Sequence, residues 1–489
     1  MLLIGAIIGA TADNLPEVVL LEIFDCFLFQ AQEEPDNCLR DVVEAWHTLV
    51  HVCQRWRIIV FDAPCRLNLR LYLTNGRPVK ETFALWPRLP IIISQAGYRD
   101  ETRGLDKIVE ALKPEYNDRV CEISLLDVPG PQLEEALAAM QQPFKVLTDL
   151  VIRQDGEPDE AVPVVPNSFL GGSAQSLRHV DFRGVPFPRI PSLLLSATDL
   201  VQLYLWKIPP LGYFSPEAFV NCLSALKKLN VLWLGFESPL YRLHVLQNSL
   251  PIERSDLPVL ASFKFNGSAM YLENLVVAID APLLDSLDIT FFHVAKFDTP
   301  QLVQFISRTP NVRPSIDAHV AFSAESVSVL LPGAFRGSLP GRLLLKILCT
   351  PATWQLSSLA QVCESSLPRS LLCAVEHLYI SDTEGPRPDW EDDIESDQWL
   401  EVLRLLPAVK DLYLTQESMP RIAPALLEPI ELESVTELLP ALQNLFLEEP
   451  SSSRTDQEAI EQFVAARQLA GRPIAVSHWD RNRGGGIRG

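Results

Sequence analysis

Four places in this chain carry side chains that could do chemistry. Residues 484–489, GGGIRG, satisfy the spacing of a dinucleotide-binding turn. That turn works only when a helix follows it and aims its N-terminus at a pyrophosphate, and no helical segment follows here, so a frayed tail is expected. His47 and His51 stand four apart, a spacing that lets two imidazoles share a metal on one helix face. No third ligand lies near them in the sequence, and a surface placement is expected instead. Cys53 could serve as a nucleophile, but it belongs to an apolar stripe and reads as a small buried hydrophobe. The run DWEDDIESD, residues 389–397, has six carboxylates in nine positions. Like charges at that density repel, so a solvated insertion is expected, with contact to a basic partner as the functional alternative. The chain has no G-x-S-x-G elbow, no H-E-x-x-H and no G-x-x-x-x-G-K-S/T phosphate loop. No enzyme, cofactor or metal site is therefore expected, and function must lie in surfaces that bind.

Those surfaces belong to a large acidic chain. It has 489 residues with 41 Lys and Arg against 62 Asp and Glu, a formal charge of −21. Nucleic acid and anionic membrane both require positive charge to displace counterions, so neither is an expected partner. The hydrophobic fraction of 47% marks a globular chain, and its length exceeds one ordinary core. Nine cysteines without a C-x-x-C pair predict neither a disulfide framework nor a zinc ribbon, and a reducing compartment, cytoplasmic or nuclear, follows. The apolar start MLLIGAIIGATA lacks a preceding basic residue and is short for a signal peptide. No run of about 18 apolar residues predicts a membrane span.

The first sixty residues predict a helical module. In 15–29, Val19, Ile23 and Phe27 form one i, i+4 row and Leu20, Phe24 and Leu28 the next, a wide apolar stripe. Asn14 and Glu17 fit a capping box, with Pro16 in the first turn. A second helix is predicted over 46–60, where Trp46, Leu49, Cys53, Trp56 and Val60 recur at helical spacing before Pro64. A short helix from Asn37 would lie between them. Two helices in about 45 residues cannot bury all these apolar groups themselves. Something else must cover part of the stripe.

LPEVVLLEIF followed by LVHVCQRWRIIV resembles the F-box. The matching positions are Leu15, Pro16, Leu20, Ile23, Phe24, Val52, Cys53, Trp56 and Arg57. Val18 stands where many F-boxes carry Glu, and the spacer from Gln30 to Glu44 is long and acidic. The resemblance implies docking to a Skp-type adaptor through Leu15, Pro16, Leu20, Ile23, Phe24, Val52, Cys53 and Trp56. Through that adaptor it implies attachment to a cullin.

The rest of the chain repeats. After a strand-like alternation at 65–73, pairs of apolar residues separated by one recur twelve times, from Ile123/Leu125 to Leu445/Leu447, at intervals of 23 to 34 residues. Another aliphatic often stands three residues before the pair, as at Leu200, Leu229, Leu284, Val375, Val409 and Leu442. This L-x-x-L-x-L cell begins a leucine-rich repeat. Helices are predicted between cells from Pro131, Ser215, Thr299, Gln398 and Glu433, with Pro216 and Pro300 at starts and Pro310 and Pro407 at ends. Those boundaries account for 39 prolines, about 8% against a norm of about 5%. The asparagine that normally closes each repeat turn is missing, so the turn backbone must be satisfied in another way. An ordinary doubly wound α/β domain is the weaker alternative.

VEHLYI at Val375, SDQWLEVLRLLPAVKDLYLTQE at Ser396, VTELLPALQNLFLEE at Val435 and QFVAARQLAGRPIAVSHW at Gln462 resemble a fungal group of F-box proteins with degenerate leucine-rich repeats. The expected architecture is α/β, an N-terminal helical F-box followed by a leucine-rich-repeat-like solenoid with a parallel sheet. Its divisions are a variable tail at 1–12, the F-box at 13–64, the solenoid with its C-terminal cap at 65–480, and a disordered tail at 481–489. The function that follows is substrate recognition for a Skp/cullin/F-box ubiquitin ligase, the repeat surface holding a protein substrate. The alternative is a non-catalytic repeat scaffold outside any cullin complex.

Overall fold

The computed structural model describes residues 15–33, 44–73, 78–84, 88–94, 105–155, 162–238, 254–292, 297–336, 339–349, 353–382, 396–427, 438–448 and 454–479. The predicted cap at Asn14, the helix from Asn37, most of the acidic run, the first half of the helix from Glu433 and both tails lie outside them, and the described second half of that helix, 438–442, holds bends and turns in place of a helix. The chain is a mixed α/β protein with a large, mostly parallel sheet. It divides into two compact units, Met1–Leu200 with Leu211–Tyr213, and Val201–Pro210 with Phe214–Gly489.

The first unit opens with α1 (Glu17–Glu33), α2 (Trp46–Val50) and α3 (Gln54–Asp62). Five parallel strands follow in chain order: β1 (Leu71–Tyr72), β2 (Ile91–Ser94), β3 (Val120–Leu126), β4 (Asp149–Arg153) and β5 (His179–Arg183). Between and after them run α4 (Val79–Ala84), α5 (Leu105–Ala111), α6 (Gly130–Ala139) and α7 (Ile190–Leu194).

In the second unit β6 (Gln202–Ile208), β7 (Val231–Phe236), β9 (Ser262–Gly267) and β11 (Ser286–Phe292) are again parallel neighbours. The two-residue strands β8 (Ser255–Asp256) and β10 (Ile279–Asp280) pair only with each other. Three strands then interrupt the order: β12 (Asp317–Ser323), β13 (Ser326–Arg336) and β14 (Leu339–Leu348). β14 joins β11, β13 runs antiparallel between its two neighbours, and β12 joins β15 (His377–Asp382). Parallel order resumes through β16 (Asp411–Leu414), β17 (Asn444–Glu448) and β18 (Ala475–Trp479). The helices are α8 (Pro216–Leu223), α9 (Ala269–Val276), α10 (Pro300–Arg308), α11 (Thr353–Ser366), α12 (Arg369–Leu372), α13 (Ser396–Arg404), α14 (Met419–Leu427) and α15 (Arg454–Leu469).

All twelve apolar pairs read from the sequence fall inside strands. Most of their side chains are buried, and the buried set packs against helices: Phe322 lies 5.6 Å from Trp399 of α13, and Phe265 lies 6.2 Å from Tyr271 of α9. The preceding aliphatics, Leu200, Leu229, Leu284, Val375 and Val409, are fully buried. Pro216 and Pro300 each occupy the first turn of a helix, where a missing N–H costs nothing.

Four expectations need correction. Residues 65–73 form a strand only at Leu71–Tyr72, because a run of turns follows Pro64 and Asn68 takes φ +47°. The helix expected over 46–60 is two, broken at His51–Cys53, where Cys53 adopts extended backbone (φ −156°, ψ 170°). The interval between Val320/Phe322 and Leu345/Ile347 holds no helix; it holds the antiparallel β13. Apolar spacing marks both flanking strands but carries no sign of their direction. A helix at Met419–Leu427 was not read from the sequence, since Pro420 and Pro424 argue against one.

The loops that lead into the strands are held by backbone. In the loops before β7, β9 and β11, two successive N–H groups donate to one carbonyl of an earlier loop: Asn230 and Val231 to Val201, then Ala261 and Ser262 to Asn230, then Asp285 and Ser286 to Ala261. The pattern recurs with Glu376 and His377 on Ile316, Lys410 and Asp411 on Glu376, and Gln443 and Asn444 on Lys410. Each of these loops is thereby tied to an earlier one. Buried backbone groups need such partners, so register passes from strand to strand without a side-chain ladder.

Candidate docking face

The apolar stripe of α1 splits into two rows with different surroundings. Leu20 and Phe24 are fully buried and Leu21 nearly so. The Phe24 ring lies 4.7 Å from that of Trp56 on α3. On the other side Val19, Ile23 and Phe27 are exposed to 41%, 45% and 38%, and Val18 beside them to 62%. The helix thus spends one row on its own module and leaves the other open.

The break between α2 and α3 positions the rest. Cys53 caps α3, its Sγ accepting from the Trp56 N–H at 3.4 Å, and the Arg57 side chain donates to the Val50 carbonyl at 3.0 Å. The loop is closed from both sides. The Arg55 guanidinium donates to the Leu15 carbonyl, which fixes the start of α1 against α3, and the Trp46 indole donates to the Arg70 carbonyl at 2.9 Å. Leu49, Val50, Ile59 and Val60 fill the core of the module, while Val52 and Ile58 stand exposed at 55% and 52%.

Of the residues implicated by the F-box resemblance, Pro16, Ile23 and Val52 are exposed; Leu15, Cys53 and Trp56 are half-buried; Leu20 and Phe24 are core. Cys53 is a half-exposed cap and not the buried hydrophobe expected. His51 is the C-cap of α2 and is exposed. Among the described residues no three His, Cys, Asp or Glu gather as a metal site. Val18, Val19, Phe27 and Ile58 were missed as surface positions; a helical stripe shows which residues are apolar but not which half of a wide stripe finds a partner.

The outward face of the second unit's sheet is the other candidate surface. The Lys264 ammonium lies 5.0 Å from the ring centre of Trp206 and 4.8 Å from that of Trp233. Desolvation there pulls the Lys264 pKa down, against the pull of Asp288. Arg342 holds Asp288 through two side-chain hydrogen bonds, one at 2.9 Å. Trp206 lies over Gly235, where a Cβ would approach its ring to 2.5 Å. Among the described residues no helix is long and apolar enough to cross a membrane. No family model matches the chain, and no curated protein matches it in sequence.

Proposed function

We propose that the chain is the substrate-recognition subunit of a Skp/cullin/F-box-type ubiquitin ligase, with residues 13–64 as an F-box and the strand–helix array as a degenerate leucine-rich-repeat solenoid. The observation that carries this reading is the open apolar face, Val18, Val19, Ile23 and Phe27 with Val52 and Ile58, on the segment that follows the F-box pattern. Covering the exposed part of each side chain is worth about 1 kcal/mol, so six together exceed the minimum of about 4 kcal/mol that association costs. Leu20, Phe24 and Trp56 shape the module beneath. The subunit itself catalyses nothing in this reading; ubiquitin transfer belongs to its partners, in the cytoplasm or nucleus, and the outward sheet face holds a protein substrate.

The test is co-purification of a Skp-type adaptor with the full chain and with an Ile23→Ala, Val52→Ala variant. The adaptor is expected with the first and absent from the second, while the variant keeps its thermal midpoint. Retention of the adaptor by the variant would refute the reading, and a folded wild type that captures none would leave a repeat scaffold outside any cullin complex.

A further inference from the structure

Within the second unit the outward sheet face is divided by charge. Strands β9, β11 and β14 present Lys264, Arg342 and Lys346 against the single carboxylate Asp288. Strands β12, β15, β16, β17 and β18 contain no Lys or Arg, and their carboxylates are Asp317, Asp382, Asp411 and Glu448. Asp382 points to the buried side; the other three lie at half-buried, outward positions.

Two rows cross this acidic half at right angles to the strands. Strand register aligns His319, Tyr379, Tyr413 and Phe446, and their rings stack with centres 4.5, 4.3 and 4.4 Å apart and planes within 13° of parallel. The Trp479 indole lies across the stack, 5.5 Å from Tyr413 and at 78° to it. Two residues earlier on each strand runs the row Asp317, His377, Asp411, Asn444. His377 Nδ1 lies 2.7 Å from Asp411, and Asn444 donates to Asp411 at 2.6 Å. These contacts hold Asp411 in place.

Asp317 and Asp411 are separated by two strand steps, about 9.6 Å at about 4.8 Å per step. A polyproline-II segment turns once in three residues and rises about 9.3 Å in doing so. Side chains at i and i+3 of such a segment therefore point the same way at the spacing of the two carboxylates. Aromatic-lined surfaces are a common seat for this conformation, which needs no hydrogen-bonded partner strand.

We propose that this half of the sheet face binds an extended, polyproline-II-like segment of a partner protein with Arg or Lys at i and i+3, its cations against Asp317 and Asp411 and its apolar atoms along the Tyr379–Tyr413–Phe446 ladder. The inference rests on reading the outward sheet face as the substrate surface. Lys264, Arg342 and Lys346 repel the same segment from the other half, which fixes where it lies.

The experiment measures fluorescence anisotropy of a labelled peptide of repeated Arg-Pro-Pro triplets on the full chain, beside a Glu-Pro-Pro counterpart. The Arg peptide binds, weakens as salt is raised, and loses about tenfold in affinity with Asp317→Asn, Asp411→Asn. Lys346→Gln, which removes a repelling charge and no proposed contact, does not weaken it. Circular dichroism checks that the double variant is folded, and Asp317→Lys alone, at a half-exposed strand end, serves if it is not. Equal binding to wild type and the carboxylate variants, preference for the Glu peptide, or no binding overturns the proposal. Adaptor co-purification from the same preparations separates the two readings: adaptor retained with no Arg-peptide binding sinks this proposal alone, and Arg-peptide binding without the adaptor sinks the ligase reading alone.

Discussion

At the scale of single residues, burial separates side chains that look alike in the sequence. Ile23 and Phe24 are adjacent apolar residues in one motif, yet one is 45% exposed and the other fully buried against Trp56. Phe24→Ala should cost about 3–5 kcal/mol of stability through the lost transfer energy and the cavity left behind. Ile23→Ala should cost under about 1 kcal/mol, since little of its contact lies inside; chemical denaturation of both variants checks the contrast. The cysteines divide in the same way. Burial pushes the thiols of Cys222 and Cys363 up to about 12, whereas Cys26, Cys65 and Cys373 are exposed. A thiolate-seeking maleimide should label the exposed three in the native protein and reach Cys222 and Cys363 only on unfolding. Labelling of the buried pair at the exposed rate would show that the core opens far more readily than its packing implies.

At the scale of elements, what the sequence made legible followed from periodicity, and what it hid followed from long-range pairing. The twelve apolar pairs identified strands because a half-buried strand must alternate. The β13 insertion stayed hidden because the pairing partner, not the alternation, decides strand direction. The N-terminus of α10 was equally obscure: Thr299 precedes Pro300 as a cap should, but its hydroxyl bonds Ser365 and Ser366, and the helix is capped by Glu273 of α9, which accepts from the N–H groups of Gln301 at 2.9 Å and Leu302 at 2.8 Å. Glu273→Ala should destabilise the fold by about 1–3 kcal/mol by leaving both donors unpaired. Burial raises the Glu273 pKa above its ordinary 4.5, outweighing those two hydrogen bonds. The folded state therefore holds this proton more tightly than the unfolded one, so the carboxyl's contribution is full below about pH 4.5 and declines as pH rises through the folded value. Relative to Glu273→Gln, the wild type should lose stability as pH rises above about 4.5; a constant difference would contradict the shift. Gly235 gives a packing test. Ala there would push a methyl into the Trp206 ring, and a loss of about 1–3 kcal/mol with a changed tryptophan emission is expected.

At the scale of the whole molecule, composition bounded the chain as large, acidic and non-catalytic in motif, but could not say where its charge sits. In the second unit the acidic strands are segregated from the basic ones, and a net charge cannot express that. The candidate docking face was half legible: the motif located it on the first helices, and only the fold showed that Leu20 and Phe24 turn inward while Val18, Val19, Ile23 and Phe27 remain open. The account's central claim is that this open face, and not the buried row, meets an adaptor. Isothermal titration of a Skp-type adaptor into the full chain tests it most directly. Ile23→Ala with Val52→Ala should weaken binding at least about tenfold, the effect of losing two apolar anchors, with the thermal midpoint unchanged. An affinity equal to that of the wild type, in a variant that remains folded, would contradict the claim.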